Sequence, residues 1–148
     1  MKKITVIFLI TLLLFGTLAC ADQSILGGIN QVRLDNGLNQ LEEKQELDDF
    51  AQYRFEQMNG VPSHNNFKSS YLSFMHTYFV ENNIQDAYYG EIIGFSDKVE
   101  TTENYINAWM NSPTHRETIL KDYVNIGSYS GYENNLYIVV VEFERLIK

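Results

Sequence analysis

Apolar residues recur along this chain first at helical and then at strand-like spacing. Ile25, Ile29 and Val32, with Arg33 beside them, fall on one helical face, and Gly37-Leu38 reads as the stop of that helix. A second helix is predicted from Glu42 to Met58. Leu47, Phe50, Ala51, Phe55 and Met58 form its apolar stripe, and acids crowd its first turn, where the helix dipole favours them. Asn59-Gly60 ends it, and 61–66 is loop chemistry. Tyr71 to Val80 reads as a third helix closed by Asn82-Asn83. Gly90-Glu91-Ile92-Ile93 reads as a short strand. Asp97 and Glu100 are spaced as a capping box for a fourth helix that ends near Met110 and buries Tyr105, Ile106 and Trp109. Ser112-Pro113 then starts a short fifth helix, with serine as N-cap and proline at the first helical position, where its missing N–H is not needed. The chain closes with 126–132 and 136–143 around a turn at 133–135, a predicted β-hairpin. The unbroken apolar run 137–141 marks a central strand buried on both faces. Helices followed by a small antiparallel sheet give an α+β layered domain.

The N-terminus adds a compartment. Lys2 and Lys3 precede an apolar run from Ile4 to Phe15, well short of the roughly 20 residues that cross a bilayer. Residues 1–19 therefore read as a secretory signal of lipoprotein type. Thr17-Leu18-Ala19-Cys20 is a lipobox-like stretch in which Cys20, the single cysteine, would carry the lipid and become the mature N-terminus. The other reading is cleavage after Ala19-x-Ala21. A tether at 20–24 and one domain over 25–148 complete the organisation. The domain itself holds no cysteine, so it relies on packing rather than disulfides. A body of about 125 residues buries roughly two thirds of its unfolded surface, which suffices. Loss of the signal leaves 9 basic against 19 acidic residues, a net charge of −10. No basic cluster remains, which argues against nucleic acid as a partner.

No HExxH, CxxC, GxSxG or phosphate-loop motif is present, and thiol catalysis has no residue in the domain to use. Attention falls on the three histidines. His76 lies within the third helix and reads as a helical surface or packing residue. His64 sits in a polar loop. His115 is the third residue of the fifth helix, where the helix dipole disfavours the imidazolium and keeps the ring neutral. Either of these two is a candidate ligand or base, or else a packing residue. Glu91, between Gly90 and two isoleucines, is either an outward-facing strand residue or a buried acid that needs a partner.

These pieces together resemble the CAP superfamily of cysteine-rich secretory proteins, venom antigens and pathogenesis-related proteins, in its cysteine-poor bacterial branch. The resemblance rests on Asn30-x-x-Arg33 with Gly37-Leu38, Ser63-His64, Gly90-Glu91-Ile92, and above all WMNSPTHRETIL at 109–120, which carries Trp109, Ser112, Pro113, His115 and Arg116. Asn125-Ile126-Gly127 and the strand ending at Phe143 complete it. It implies an α-β-α sandwich with four to five helices and a C-terminal hairpin. It also implies a central cleft where two histidines and two acids gather and some members hold a divalent metal such as zinc. Carried over by motif, His64, Glu91 and His115 are three of those four residues. Ser112 stands where animal and plant members have the second acid. Two imidazoles and a carboxylate suit a zinc ion with an open water position, but a hydrolase also needs a second group to move protons. A Ser112 hydroxyl spent on capping would serve that need poorly. The resemblance thus favours a binding module for a lipid, sterol or protein ligand, tethered by lipid to a bacterial cell envelope or else secreted and soluble. The alternative is a metal-dependent hydrolase using His64, Glu91 and His115.

Overall fold

The computed structural model describes residues 24–147. The expected signal 1–19, Cys20 and the expected tether up to residue 23 lie outside the described residues, so the lipidation expected at Cys20 does too. The chain order is α1 (Ile25–Asp35), β1 (Glu42–Glu43), α2 (Gln45–Met58), α3 (Phe67–Glu81), β2 (Asp86–Ser96), α4 (Thr102–Asn111), α5 (Pro113–Ile119), β3 (Asn125–Glu133) and β4 (Leu136–Ile147). The four strands lie in the order β1-β3-β4-β2. β4 pairs antiparallel with both long neighbours, placing Glu91 opposite Glu142 on β2 and Gly127 opposite the same Glu142 on β3. The expected antiparallel sheet is thus mixed, because β1 joins β3 in parallel through two residues. A two-residue strand has no alternation to read, and its residues were absorbed into the start of the second helix.

Helices cover both faces. Val139, Val141 and Phe143 of β4 pack with Ile29 of α1, Ile106 and Trp109 of α4 and Ile119 of α5. The alternate residues Ile138 and Val140 pack with Ala51, Phe55 and Met58 of α2. Leu47, Phe50, Tyr71 and Met75 extend that second layer across α2 and α3. This is the α-β-α sandwich, with β4 at its centre as the apolar run 137–141 required. The second layer lies close to the sheet: a Cβ at Gly127 would come within 2.4 Å of the Leu47–Asp48 backbone, so only glycine admits α2 there. Asp48 strengthens the contact by accepting from the Ser128 amide at 2.7 Å.

Two polar residues of α1 fix the connections around the first layer. Asn30 exchanges both hydrogen bonds with the Leu41 backbone, at 2.7 and 3.0 Å. Arg33, 2% exposed, donates to the carbonyls of Asn39, Ile119, Lys121 and Tyr123. Gly37, at φ 73°, takes the left-handed turn that ends this helix.

The start of α4 departs from expectation. β2 runs on to Ser96, and Thr101, rather than Asp97, is the N-cap, its side chain accepting from the Asn104 amide at 3.2 Å. Glu100 instead accepts from the Asn104 side chain at 2.7 Å.

Candidate functional site

The site straddles β2, which is an edge strand of the sheet. Strand residues alternate between faces, so Glu91 and Ile93 point toward α2 while Ile92 joins the α4–α5 layer. The loop after α2 brings His64 to one side of the edge and α5 brings His115 to the other. Their rings stand 6.4 Å apart, tilted by 49°. His76 lies exposed on α3 with no hydrogen bond to this group.

Glu91 is the hub. Its side chain is fully buried and is gripped by Arg54 of α2, with Nε donating to Oε2 at 2.7 Å and Nη2 to Oε1 at 3.1 Å. His64 Nδ1 lies 2.9 Å from Oε1. Of the two alternatives open for this acid, the structure takes the buried one and supplies its partner. Arg54 is also buried and spends its remaining N–H groups on Gln57 Oε1 and on the Asn65 and Ser63 carbonyls. The same guanidinium therefore holds the acid and shapes the loop that carries His64. Arg54 was not among the residues expected here, although a signal was there: it sits at a core position in the stripe Leu47, Phe50, Ala51, Phe55 and Met58.

Burial alone would raise the Glu91 carboxyl, but hydrogen bonds from His64 and Arg54 and the Arg54 charge outweigh it and hold the group below its ordinary range. Glu91 is then an ionised acceptor, so His64 Nδ1 carries the proton of the hydrogen bond between them. His115 is pulled below its usual value, first by partial burial and then by the nearby His64. This agrees with the neutral ring expected at 115. Glu142, opposite Glu91, is 1% exposed and is raised well above the carboxylate range by burial and by Glu91. It too was missed, although an acid continuing the apolar run 137–141 of a central strand was visible.

The motif at 109–120 builds the other wall. Trp109 is buried and its Nε1 donates to the Ile93 carbonyl at 3.2 Å, tying α4 to the edge of β2. Ser112 has the extended backbone of an N-cap and Pro113 is the first residue of α5. The Ser112 hydroxyl, however, makes no capping bond, contrary to expectation. No hydrogen bond joins Ser112 to His115, although both line a 390 Å³ cavity with Ile93, Tyr105 and Trp109. Arg116 is exposed, and its amide closes the first turn of α5 on the Ser112 carbonyl at 2.9 Å.

As a three-ligand metal set, His64, Glu91 and His115 do not fit in this arrangement. Glu91 is shielded and engaged at both oxygens, and among the described residues no group of three His, Cys, Asp or Glu is placed to hold a metal ion. The two imidazoles face each other with Glu91 behind His64, the position of a carboxylate that orients a histidine rather than of a ligand.

Comparison with known proteins agrees with this architecture. An outer surface protein from Borrelia burgdorferi is 26% identical, with a TM-score of 0.68 over 83% of this chain and 90% of that one. A cysteine-rich secretory protein from Staphylococcus aureus shares the fold at 18% identity and a TM-score of 0.61. That match covers 84% of this chain but 37% of the longer protein. Schistosoma mansoni venom allergen-like protein 4 shares it at 12% identity, with a TM-score of 0.59 over 88% and 92% of the two chains. No curated protein gives a significant match. The sequence profile of the cysteine-rich secretory protein family matches residues 26–143, nearly the whole described domain, and the chain belongs to that family, the CAP proteins.

Proposed function

We propose that this CAP domain is a binding module displayed on a bacterial cell envelope, held there by a lipid on Cys20, and that its cleft recognises a ligand without turning it over. The state of Glu91 carries this reading. A hydrolytic cleft needs a carboxylate free to take or give a proton beside the imidazoles, and this one is spent on Arg54 and His64. Ser112, at the place of the family's second acid, supplies no acid in its stead. The likeness to a Borrelia outer surface protein supports the location. The short apolar run before Cys20 supports the anchor.

The ligand classes that fit the reading are a lipid, a sterol or a protein of the envelope or host. Purified 22–148, which contains the whole described core, is offered lipid vesicles, sterols and peptide and ester substrates. The expected outcome is saturable binding to a lipid, a sterol or an envelope protein with no turnover. Cleavage that is lost in His64→Ala or His115→Ala would overturn the reading in favour of the hydrolase. A zinc titration of the same three proteins tests the imidazole pair, and equal affinity in all three removes it as a metal site.

A further inference from the structure

The buried donors and acceptors beneath the cleft do not balance unless Glu142 bears a proton. Arg54 has five N–H groups. Two go to Glu91, and the other three to Gln57, Asn65 and Ser63. None reaches Glu142, whose Oε1 has no hydrogen-bond partner. The charged groups around it come from three sides. Glu91 lies opposite on β2, Arg54 stands on α2, and Glu144 lies two residues along β4. Glu144 is satisfied independently, by Lys44 Nζ and the Tyr71 hydroxyl, each at 2.5 Å. An ionised Glu142 would be a buried anion with no donor beside another anion, an arrangement that desolvation and like-charge repulsion both oppose. A protonated Glu142 becomes a donor, and the acceptor across the strand pair is Glu91. Oε2 of that residue takes one bond from Arg54 and keeps a lone pair.

We infer that Glu142 is the second acid of this cleft, acting as a neutral positioning residue that donates a hydrogen bond to Glu91 and so fixes the tautomer and orientation of His64. The acid absent at Ser112 is in this view supplied from beneath, by the central strand. It faces Glu91 rather than solvent, so it serves as neither ligand nor base. The three donors from Arg54, His64 and Glu142 converge on one carboxylate, which keeps the proton of the His64–Glu91 bond on Nδ1. Burial and the adjacent Glu91 charge both favour the neutral form of Glu142. The inference concerns the same cleft but does not depend on what it binds, and a domain that bound no ligand would leave it standing.

The test uses the mature chain with Glu142→Gln, which keeps a neutral donor, and Glu142→Leu, which keeps bulk alone. Infrared spectroscopy at neutral pH is expected to show one protonated carboxyl band in the wild type, lost in Glu142→Gln. Nitrogen NMR of His64 is expected to show the Nδ1–H tautomer in the wild type and in Glu142→Gln. In Glu142→Leu the tautomer ratio shifts by about threefold or more, as loss of one supporting hydrogen bond implies. Glu142→Gln also melts no lower than the wild type at pH 7. A wild type without the band overturns the inference, as does a Gln variant that shifts the tautomer. A Leu variant that melts lower with its tautomer unmoved shows a structural role only and also overturns it. Should the Leu variant fail to fold, the band and the Gln variant decide.

Discussion

At the scale of single residues, the strongest local dependence is that of Glu91 on Arg54. Arg54→Met keeps much of the buried volume and removes the guanidinium, leaving a buried carboxylate with His64 and Glu142 as its remaining donors. Loss of one partner of a buried ion pair costs about 3–5 kcal/mol, and urea unfolding at pH 7 is expected to show a loss of that order. The pH dependence has a definite sign. Glu91 is held below its ordinary 4.5 in the folded state, so its contribution is present above the unfolded carboxylate value and is lost as pH falls through the folded value. The gap between wild type and Arg54→Met is therefore widest at neutral pH and closes on acidification. A gap that stayed constant down to pH 3 would show that Arg54 acts by packing and loop contacts alone. These residues also show why part of the site was hidden in the sequence. His64, Glu91 and His115 stand out as polar residues in loop, strand and helix-start contexts. Arg54 and Glu142 occupy positions where periodicity predicts core, and periodicity does not report which polar side chains are buried in partnership.

The helices and strands were legible where one side is apolar and the length is ordinary. The stripe of α2, the run of β4 and the Ser-Pro start of α5 all form as the pattern predicts. The ends were less legible, because several nearby polar residues can serve as a cap and only the local geometry selects one. Asp97-x-x-Glu100 has capping-box spacing, yet β2 continues to Ser96 and the chain enters α4 at Thr101. The two caps around the signature motif therefore differ in what their hydroxyls contribute. Thr101→Ala removes a bond to the Asn104 amide and is expected to cost about 0.5–2 kcal/mol. Ser112→Ala removes a hydroxyl with no capping bond and is expected to change stability by less than about 0.5 kcal/mol. Parallel denaturant titrations of the two variants check the contrast. Equal losses would mean that the Ser112 hydroxyl does cap α5 in solution.

Across the whole molecule, a domain without a cysteine must hold its layers together by other means, and Arg33 joins segments far apart in sequence. One buried guanidinium binds the turn after α1 through Asn39, the end of α5 through Ile119, and the approach to β3 through Lys121 and Tyr123. The partners lie up to 90 residues away in sequence. All four are carbonyl oxygens, among them one at the C-terminal end of α5, where the helix dipole also favours a cation. The planar fork matters as much as the charge. A lysine has three donors on one atom and cannot span carbonyls arranged around a guanidinium plane. Arg33→Lys is therefore expected to destabilise the domain, and Arg33→Met to do so further. Met leaves the buried Ile119 and Tyr123 carbonyls without this donor, at about 1–3 kcal/mol for each group left unsatisfied. Because the broken contacts belong to different elements, the loss is expected to lower a single cooperative transition rather than to split it. Circular dichroism and tryptophan fluorescence of Trp109, which packs in the same layer, would follow it together. Two separate transitions, or an Arg33→Lys variant as stable as the wild type, would show that packing alone joins α1, α5 and β3.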